Sequence, residues 1–230
     1  MSVPEGPRDF AVIPDLHGRL DVLESMLRAC GFVDARGLVL DSGLHLVQLG
    51  DLVDRGPHPR ACVERVMDLR AAAPERVHAL MGNHEAMLLA ADQNPMAKRL
   101  WMTNGGSRTL ADYEGAYESW IQPGGRHFQW MKSLPPSFEF KNVLFCHAGL
   151  AKARKGQLHV EGILWDRPPL TKGAYRAVVC GHTPTASGRI EEHKGVWRCD
   201  LGLGHGTEKS LEMLILSIGE QSLVARKVGP

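Results

Sequence analysis

Residues 45–57 read H-L-V-Q-L-G-D-L-V-D-R-G-P. The apolar run through Leu46, Val47 and Leu49 is short and stops at a glycine, the pattern of a buried strand. Directly after it, Asp51, Asp54 and Arg55 crowd unlike charges together ahead of a Gly-Pro break. Four other short apolar runs end the same way. F-A-V-I precedes P-D-L-H-G, R-V-H-A-L-M precedes G-N-H-E, N-V-L-F-C precedes H-A-G, and A-V-V-C precedes G-H-T. Between the early runs, Leu20, Leu23 and Leu27, and then Cys62, Val63, Val66, Met67 and Arg70, fall at helical spacing, and Pro59 suits a helix's first turn. Alternating strands and helices predict an α/β fold whose sheets are covered by helices. Ligands in such folds gather at the carboxyl ends of strands, where all five polar clusters fall.

Composition narrows the classes of function. The chain has 230 residues, with 27 lysines and arginines against 26 aspartates and glutamates, so no global field draws it to nucleic acid or anionic lipid. The first ten residues, M-S-V-P-E-G-P-R-D-F, lack a charged-then-apolar signal pattern, and no window approaches the ~18 apolar residues of a membrane span. The expectation is a cytoplasmic protein. The 5 cysteines lack C-x-x-C spacing, which argues against a thiolate zinc site or a disulfide framework and for small core residues. From about Met87 to Pro136 the strand signal disappears, and Trp101, Tyr113, Tyr117, Trp120 and Trp130 lie among Gly and Asn breaks. This reads as a partly helical insert, or lid, within one domain spanning 1–230. Strand patterns resume after Gly181, in V-W-R-C-D and L-E-M-L-I-L-S-I, separated by the Gly-rich G-L-G-H-G.

The strand-end residues form a set: Asp15 and His17, Asp51 and Asp54, Asn83 and His84, His147, and His182. Any one of them alone reads as a turn former or a helix cap. Five clusters of metal-ligand types, each after a strand, are hard to explain as independent turns. The ordered set D-L-H-G, G-D-L-V-D-R-G, G-N-H-E, H-A-G-L and G-H-T-P resembles the phosphoprotein phosphatase branch of the calcineurin-like metallophosphoesterases. N-G-G at 104–106, L-F-C-H-A-G-L and I-L-W-D-R are similar to the compact bacterial and phage members, which include serine/threonine phosphatases and diadenosine tetraphosphate hydrolases.

The resemblance implies a four-layer α/β/β/α sandwich. It implies that Asp15 and His17 hold one metal, that Asn83, His147 and His182 hold a second, and that Asp51 bridges them. A carboxylate can link two cations that together generate hydroxide near neutral pH. Nitrogen and oxygen ligands without thiolate suit Mn²⁺ first, with iron and zinc also accommodated. The resemblance further makes His84 the general acid, Asp54 the residue orienting it, and Arg55 a phosphate clamp beside Asn83. Arg167 in W-D-R is a second clamp on this reading; its plainer reading is a surface arginine. The crowded charges of the opening stretch then have separate partners. Proline at position 14 departs from the glycine that usually opens the first motif, which puts close backbone approach near the first metal in question.

The implied activity is a dinuclear-metal phosphomonoesterase acting on phosphoserine or phosphothreonine, or on small phosphorylated substrates. The rival is a diadenosine tetraphosphate hydrolase, with the insert's aromatics stacking a base and Lys152, Arg154 and Lys155 holding a phosphate chain. A binding scaffold without chemistry would lack a ligand, and here every expected position is filled. A nuclease would carry a basic cleft. His205 in G-L-G-H-G stands apart from the other remaining histidines, because a Gly-rich turn can approach a site closely.

Overall fold

The computed structural model describes residues 8–113 and 121–229, apart from the side chain of Arg154. Tyr117 and Trp120 of the expected insert lie outside the described residues. Strands β1 (Arg8–Ile13), β2 (His45–Gln48) and β3 (Val77–Ala79) are joined through helices α1 (Leu20–Ala29) and α2 (Pro59–Ala72). β1 pairs in parallel with β2, and β2 with β3. The C-terminal hairpin of β9 (Met213–Ile218) and β10 (Leu223–Val228) adds antiparallel strands on the other side, giving the order β10-β9-β1-β2-β3. A second five-stranded sheet runs β4-β5-β6-β8-β7, from β4 (Ser137–Phe140), β5 (Val143–Cys146), β6 (Ala177–Cys180), β7 (Glu191–His193) and β8 (Val196–Arg198). Its centre, β5, β6 and β8, is parallel.

Strand periodicity explains why two sheets face one another. β1, β2, β5 and β6 are almost wholly buried, as parallel strands with both sides covered must be, and they are largely apolar, with His45 and Gln48 of β2 the buried exceptions. Phe10 of β1 meets Phe140, Phe145 and Phe138 of the second sheet at ring-centroid distances of 5.0, 5.7 and 5.9 Å. One apolar cluster therefore runs through both sheets. On the outer side of the first sheet, α1 buries Val22, Leu23, Met26 and Leu27. α2 starts on Pro59 and buries Cys62, Val63, Val66 and Leu69; Leu69 takes the inward place that helical spacing suggested for Arg70, which is half-buried. Beyond the second sheet, Leu144, Cys146, Val178 and Cys180 pack with Ile163 in a smaller cluster. The molecule is thus an α/β/β/α sandwich with unequal outer layers. The second is thin, carried by a helix of 6 residues, Val160–Trp165.

The segment between the sheets is partly helical. Helix α3 (Asn83–Ala90) leads to α4 (Pro95–Trp101), a π-helical turn at Met102–Gly106, α5 (Ser107–Asp112) and α6 (Arg126–Lys132). The helix Val160–Trp165 is α7. Trp101 and Tyr113 are fully buried, so these two aromatics belong to the core. Cys62, Cys146, Cys180 and Cys199 are buried and all 5 cysteines are free thiols, which fits the expectation of core residues.

Candidate active site

The strand ends deliver their side chains to one place. Asp15 and His17 follow β1, Asp51, Asp54 and Arg55 follow β2, and Asn83 and His84 open α3 just after β3. His147 follows β5 and His182 follows β6, so both sheets contribute at their carboxyl ends. The backbone is strained where this happens. His17, Asp51, Asp54, Arg55 and His182 all have positive φ, between 45° and 70°, a region costly for residues with a Cβ. Close approach accompanies it: a Cβ at position 181 would sit 1.9 Å from Asp15 Oδ1, which requires glycine there.

Asp51 lies at the centre. Its Oδ2 is 3.5 Å from His17 Nε2, and its Oδ1 is 3.5 Å from His147 Nε2. The carboxylate thus presents its two oxygens to different imidazoles. Backbone contacts fix the tautomers: His17 Nδ1 donates to Val53 O and His147 Nδ1 donates to Leu49 O, each at 2.9 Å. Both Nε2 atoms are then lone pairs turned inward. Asn83 Oδ1 lies 2.8 Å from His147 Nε2 and 2.9 Å from His182 Nδ1. Among the described residues, Asp15 Oδ1 and His182 Nε2 are buried without a hydrogen-bond partner. Lone pairs converging on lone pairs, beside an orphaned carboxylate oxygen, form a donor set that fits divalent cations. Within it, Asp15, Asp51 and His147, and separately His17, Asp51 and His84, bring ligand atoms within 4.8 Å of one another. The neighbouring Pro14 is buried and leaves Asp15 inside this cluster.

The electrostatics follow from burial and crowding. Burial pulls the imidazoles of His17 and His182 down to about 3, with nearby positive groups adding to the effect, so both are neutral. Asp15 is pushed well up by burial and by the charges of Asp200 and Asp51. Burial opposes charge on Asp51 too, but His147, His84 and His17 outweigh it and hold this carboxyl below the usual carboxylate range. For His84, burial works against protonation, while the charge of Asp51 and the hydrogen bond and charge of Asp54 raise it overall.

His84 Nδ1 donates to Asp54 Oδ2 at 2.6 Å. Asp54 is fully buried and also accepts Trp101 Nε1–H at 3.0 Å and Thr109 Oγ1–H at 2.6 Å. The guanidinium of Arg55 donates to His84 Nε2 at 2.9 Å, and to His17 Nε2 and His205 Nε2 at 2.8 and 3.0 Å. Beneath Asp51, the buried carboxylate of Glu85 accepts the backbone N–H groups of Asp51 and Leu52, each at 2.8 Å, and of Gly82 at 2.9 Å. It thereby pins two of the strand-end loops together.

A pocket of about 360 Å³ opens above this cluster, lined by Asp51, Arg55, Asn83, His84 and His182, with Asn104, Trp165, Arg167, Pro184, His205 and Thr207 around them. Arg167 therefore faces the same space as Arg55. Lys152 and Lys155 are exposed and do not line it. Of the insert's described aromatics, none lines the pocket; the aromatic that does is Trp165, from α7. Reading the sequence by motif missed Trp101, Thr109, Glu85, Trp165 and Asp200. Asp200 is buried, and burial and the charge of Asp51 push it up to about 6. Only Asp200 carried a usable signal, as a carboxylate after the V-W-R-C strand pattern. His205 reaches the site as its glycine-rich turn suggested, since a Cβ on Gly204 would lie 2.2 Å from the His17 ring.

This arrangement of two facing sheets, with a cation-fitting donor set at the strand ends, agrees with a family-model match. The calcineurin-like phosphoesterase model matches residues 9–198, and the chain belongs to that family. Among curated relatives, it is 29% identical to Shewanella-like protein phosphatase 1 of Plasmodium berghei, over 60% of this chain and 38% of that protein. It is 35% identical to serine/threonine-protein phosphatase 1 of Salmonella typhimurium, over 49% of this chain and 47% of the relative. The matched region thus spans less than half the length of either. With bis(5'-nucleosyl)-tetraphosphatase PrpE of Bacillus thuringiensis it shares 26% identity over 80% of this chain and 82% of the relative. A solved structure of a cold-active protein tyrosine phosphatase superposes with a TM-score of 0.69 at 21% identity, covering 96% of this chain and 76% of that one, a likeness of fold.

Proposed function

We propose that the chain is a dinuclear-metal phosphomonoesterase acting on phosphoserine or phosphothreonine in proteins, one domain over residues 1–230, working in the cytoplasm. The observation that carries the reading is the His84–Asp54 hydrogen bond of 2.6 Å, set beside Asp51 and under Arg55. It occupies Nδ1, so that Nε2, which accepts from Arg55 in this structure, is the atom left to carry a proton to the leaving group once Arg55 turns to the phosphoryl oxygens. Asp15, His17 and Asp51 would hold one cation, and Asp51, Asn83, His147 and His182 the other, with Mn²⁺ the first choice. When bound, such a pair supplies positive charge for phosphoryl oxygens and lowers the pKa of water.

The chain's own side chains account for the remaining steps. Arg55 and Arg167 grip the phosphoryl oxygens, a task for which a guanidinium fork suits better than an ammonium. Asn83 contributes its amide on the same side. His84 protonates the leaving alkoxide from Nε2, while Asp54, held by Trp101 and Thr109, keeps Nδ1 occupied. The test is a substrate panel with Mn²⁺ added to protein freed of other metals: a phosphoserine peptide, diadenosine tetraphosphate and single-stranded nucleic acid. Turnover that is fastest on the peptide, read as orthophosphate from the peptide and as released nucleotides from the other two substrates, and that is abolished by chelator supports the reading. Turnover resistant to chelator refutes it.

A second reading is hydrolysis of a dinucleoside tetraphosphate. It is favoured by the similarity to the Bacillus tetraphosphatase along four-fifths of both chains. On this reading the loop of Lys152, Arg154 and Lys155 holds distal phosphates, and neutralising it raises KM for diadenosine tetraphosphate in a salt-dependent way.

A further inference from the structure

Helix α4 faces outward along most of its surface. Trp101, its buried residue, is bound to Asp54, whereas Met96 and Leu100 are 74% and 53% exposed. These two stand one turn apart, so their side chains share a face. Arg99 flanks that face, and with Asn94, Pro95 and Met96 it lines a groove of about 360 Å³. The helix is held at both ends. Asn94 Oδ1 caps it by accepting Ala97 N–H at 2.8 Å, and past its last turn Gly105 O accepts Arg55 N–H at 3.3 Å. The exposed face also runs to the pocket above the strand ends: Leu100 O accepts Asn104 Nδ2–H at 2.8 Å, and Asn104 lines that pocket. Residues 93–111 hold Lys98, Arg99 and Arg108 and no carboxylate, in a chain whose charges otherwise nearly balance. All three cations are exposed and, among the described residues, none of them pairs with a carboxylate.

We propose that this face of α4 is a docking surface for the phosphoprotein substrate, and that it receives a segment beside the phosphorylated residue carrying an apolar side chain and carboxylates. This rests on the protein phosphatase reading and adds to it how the partner is recognised outside the pocket. A single exposed Leu or Met is ordinary. Two on one face of a fixed helix, beside a groove and a guanidinium without a carboxylate, form a surface that apolar contact and charge complementarity both serve. Reach sets the spacing. Met96 and Asn104 are eight positions apart, about 12 Å along a helix, and an extended peptide covers that length in about three or four residues. With the phosphoryl group in the pocket, an apolar side chain three or four positions away lands on Leu100 and Met96, and acidic neighbours face Arg99. A nucleic acid or a dinucleotide brings negative charge but no aliphatic side chain, and leaves Met96 and Leu100 in water.

The experiment gives the Mn²⁺-loaded full chain three phosphoserine peptides. The first carries leucine three positions from the phosphoserine with two glutamates beside the leucine, the second has that segment moved eight positions away, and the third has alanine throughout it. Each is made with the segment before and after the phosphoserine. In one orientation kcat/KM should be about tenfold higher for the first peptide than for the others, through KM, the scale of one buried apolar side chain at an interface. Met96→Ser/Leu100→Ser and Arg99→Glu should each remove most of that preference and leave turnover of phenyl phosphate unchanged. Lys98→Glu, the same change of charge away from the groove, should remove less. In parallel, the unphosphorylated first peptide, labelled with fluorescein, is titrated against metal-free protein by anisotropy, and Met96→Ser/Leu100→Ser should weaken its binding about tenfold. Equal kcat/KM for all three peptides, or losses as large on phenyl phosphate as on the first peptide, would overturn the proposal. A dimer of the parent that the double variant splits, seen by sedimentation, would overturn it in favour of a contact between copies of this chain. If the parent releases phosphate from no phosphoserine peptide, the protein phosphatase reading fails, while anisotropy still reports on α4 directly, and absence of binding there refutes the docking surface.

Discussion

Trp101→Phe tests how the proposed general acid is held. The indole lies in the core, 1% exposed, and its N–H is 3.0 Å from both oxygens of Asp54. A hydrogen bond to a buried charged group contributes about 1.5–3 kcal/mol. Phenylalanine keeps the apolar contact but removes this donor and leaves a small void against Gly106, where even a Cβ would lie 2.5 Å from the indole. The void adds about 1 kcal/mol, so the variant should be destabilised by ~2.5–4 kcal/mol. Urea unfolding with linear extrapolation measures this, with an unchanged m-value as the sign that only stability has moved. Asp54 keeps Thr109 and His84 as donors, so kcat on an alkyl phosphate should fall only about tenfold, whereas Asp54→Asn, which removes the charge from every partner, should cost ~10² to 10⁴. Aryl phosphates, whose leaving groups need less help from an acid, should lose less in both variants. A Trp101→Phe protein within ~0.5 kcal/mol of the parent and equal to it in kcat would refute the reasoning, because Asp54 would then be held without the indole.

Asp51→Asn should abolish turnover and lower the metal content from close to two ions per chain, as read by metal analysis of Mn²⁺-loaded protein; two ions retained in the variant would count against Asp51 as the shared ligand. His84→Asn should leave metal content near that of the parent and lower kcat by ~10² to 10⁴, more for alkyl than for aryl esters, and equal losses would make it a structural residue. Arg55→Ala and Arg167→Ala should each weaken catalysis of a phosphomonoester by ~1.5 to 3 kcal/mol, measured as kcat/KM. A pH effect on stability should come from His78, which stacks on Phe138 at 3.9 Å and lies 3.2 Å from His45. Burial, then the charges of His45, Arg70 and Arg8, depress its pKa from 6.5 to about 4. The folded state therefore binds fewer protons than the unfolded state between these values, and stability present above pH 6.5 is lost as pH falls toward 4. With solvent screening of a half-buried ring the loss is about 1–2 kcal/mol. His78→Gln should narrow the gap between urea midpoints at pH 7.5 and pH 5, and an unchanged gap would exclude this ring as the cause.

Fold class and the places where chemistry could gather are legible in local sequence pattern. Strand and helix periods are local, and a buried parallel strand is apolar along most of its length. The change from apolar run to aspartate, asparagine and histidine was therefore visible at each strand end, in H-L-V-Q-L-G-D as in N-V-L-F-C-H. The positions holding Asp15, His17, Asp51, Asn83, His147 and His182 could be named from that change of composition and from the order of the motifs. Tertiary structure alone decided which side chains support them. Trp101 and Thr109 belong to a helical segment that follows no strand, and only the turn of α4 through the π-helical segment into α5 carries both to Asp54. Glu85 looked like one more polar residue after His84, yet it binds the backbone at Asp51, 34 positions away. The aromatic facing the pocket is Trp165 from α7, because burial claims Trp101 and Tyr113 for the core and leaves a different ring at the opening. Such partnerships join residues far apart in the chain through side-chain packing, and side-chain packing has no period along the sequence to announce it.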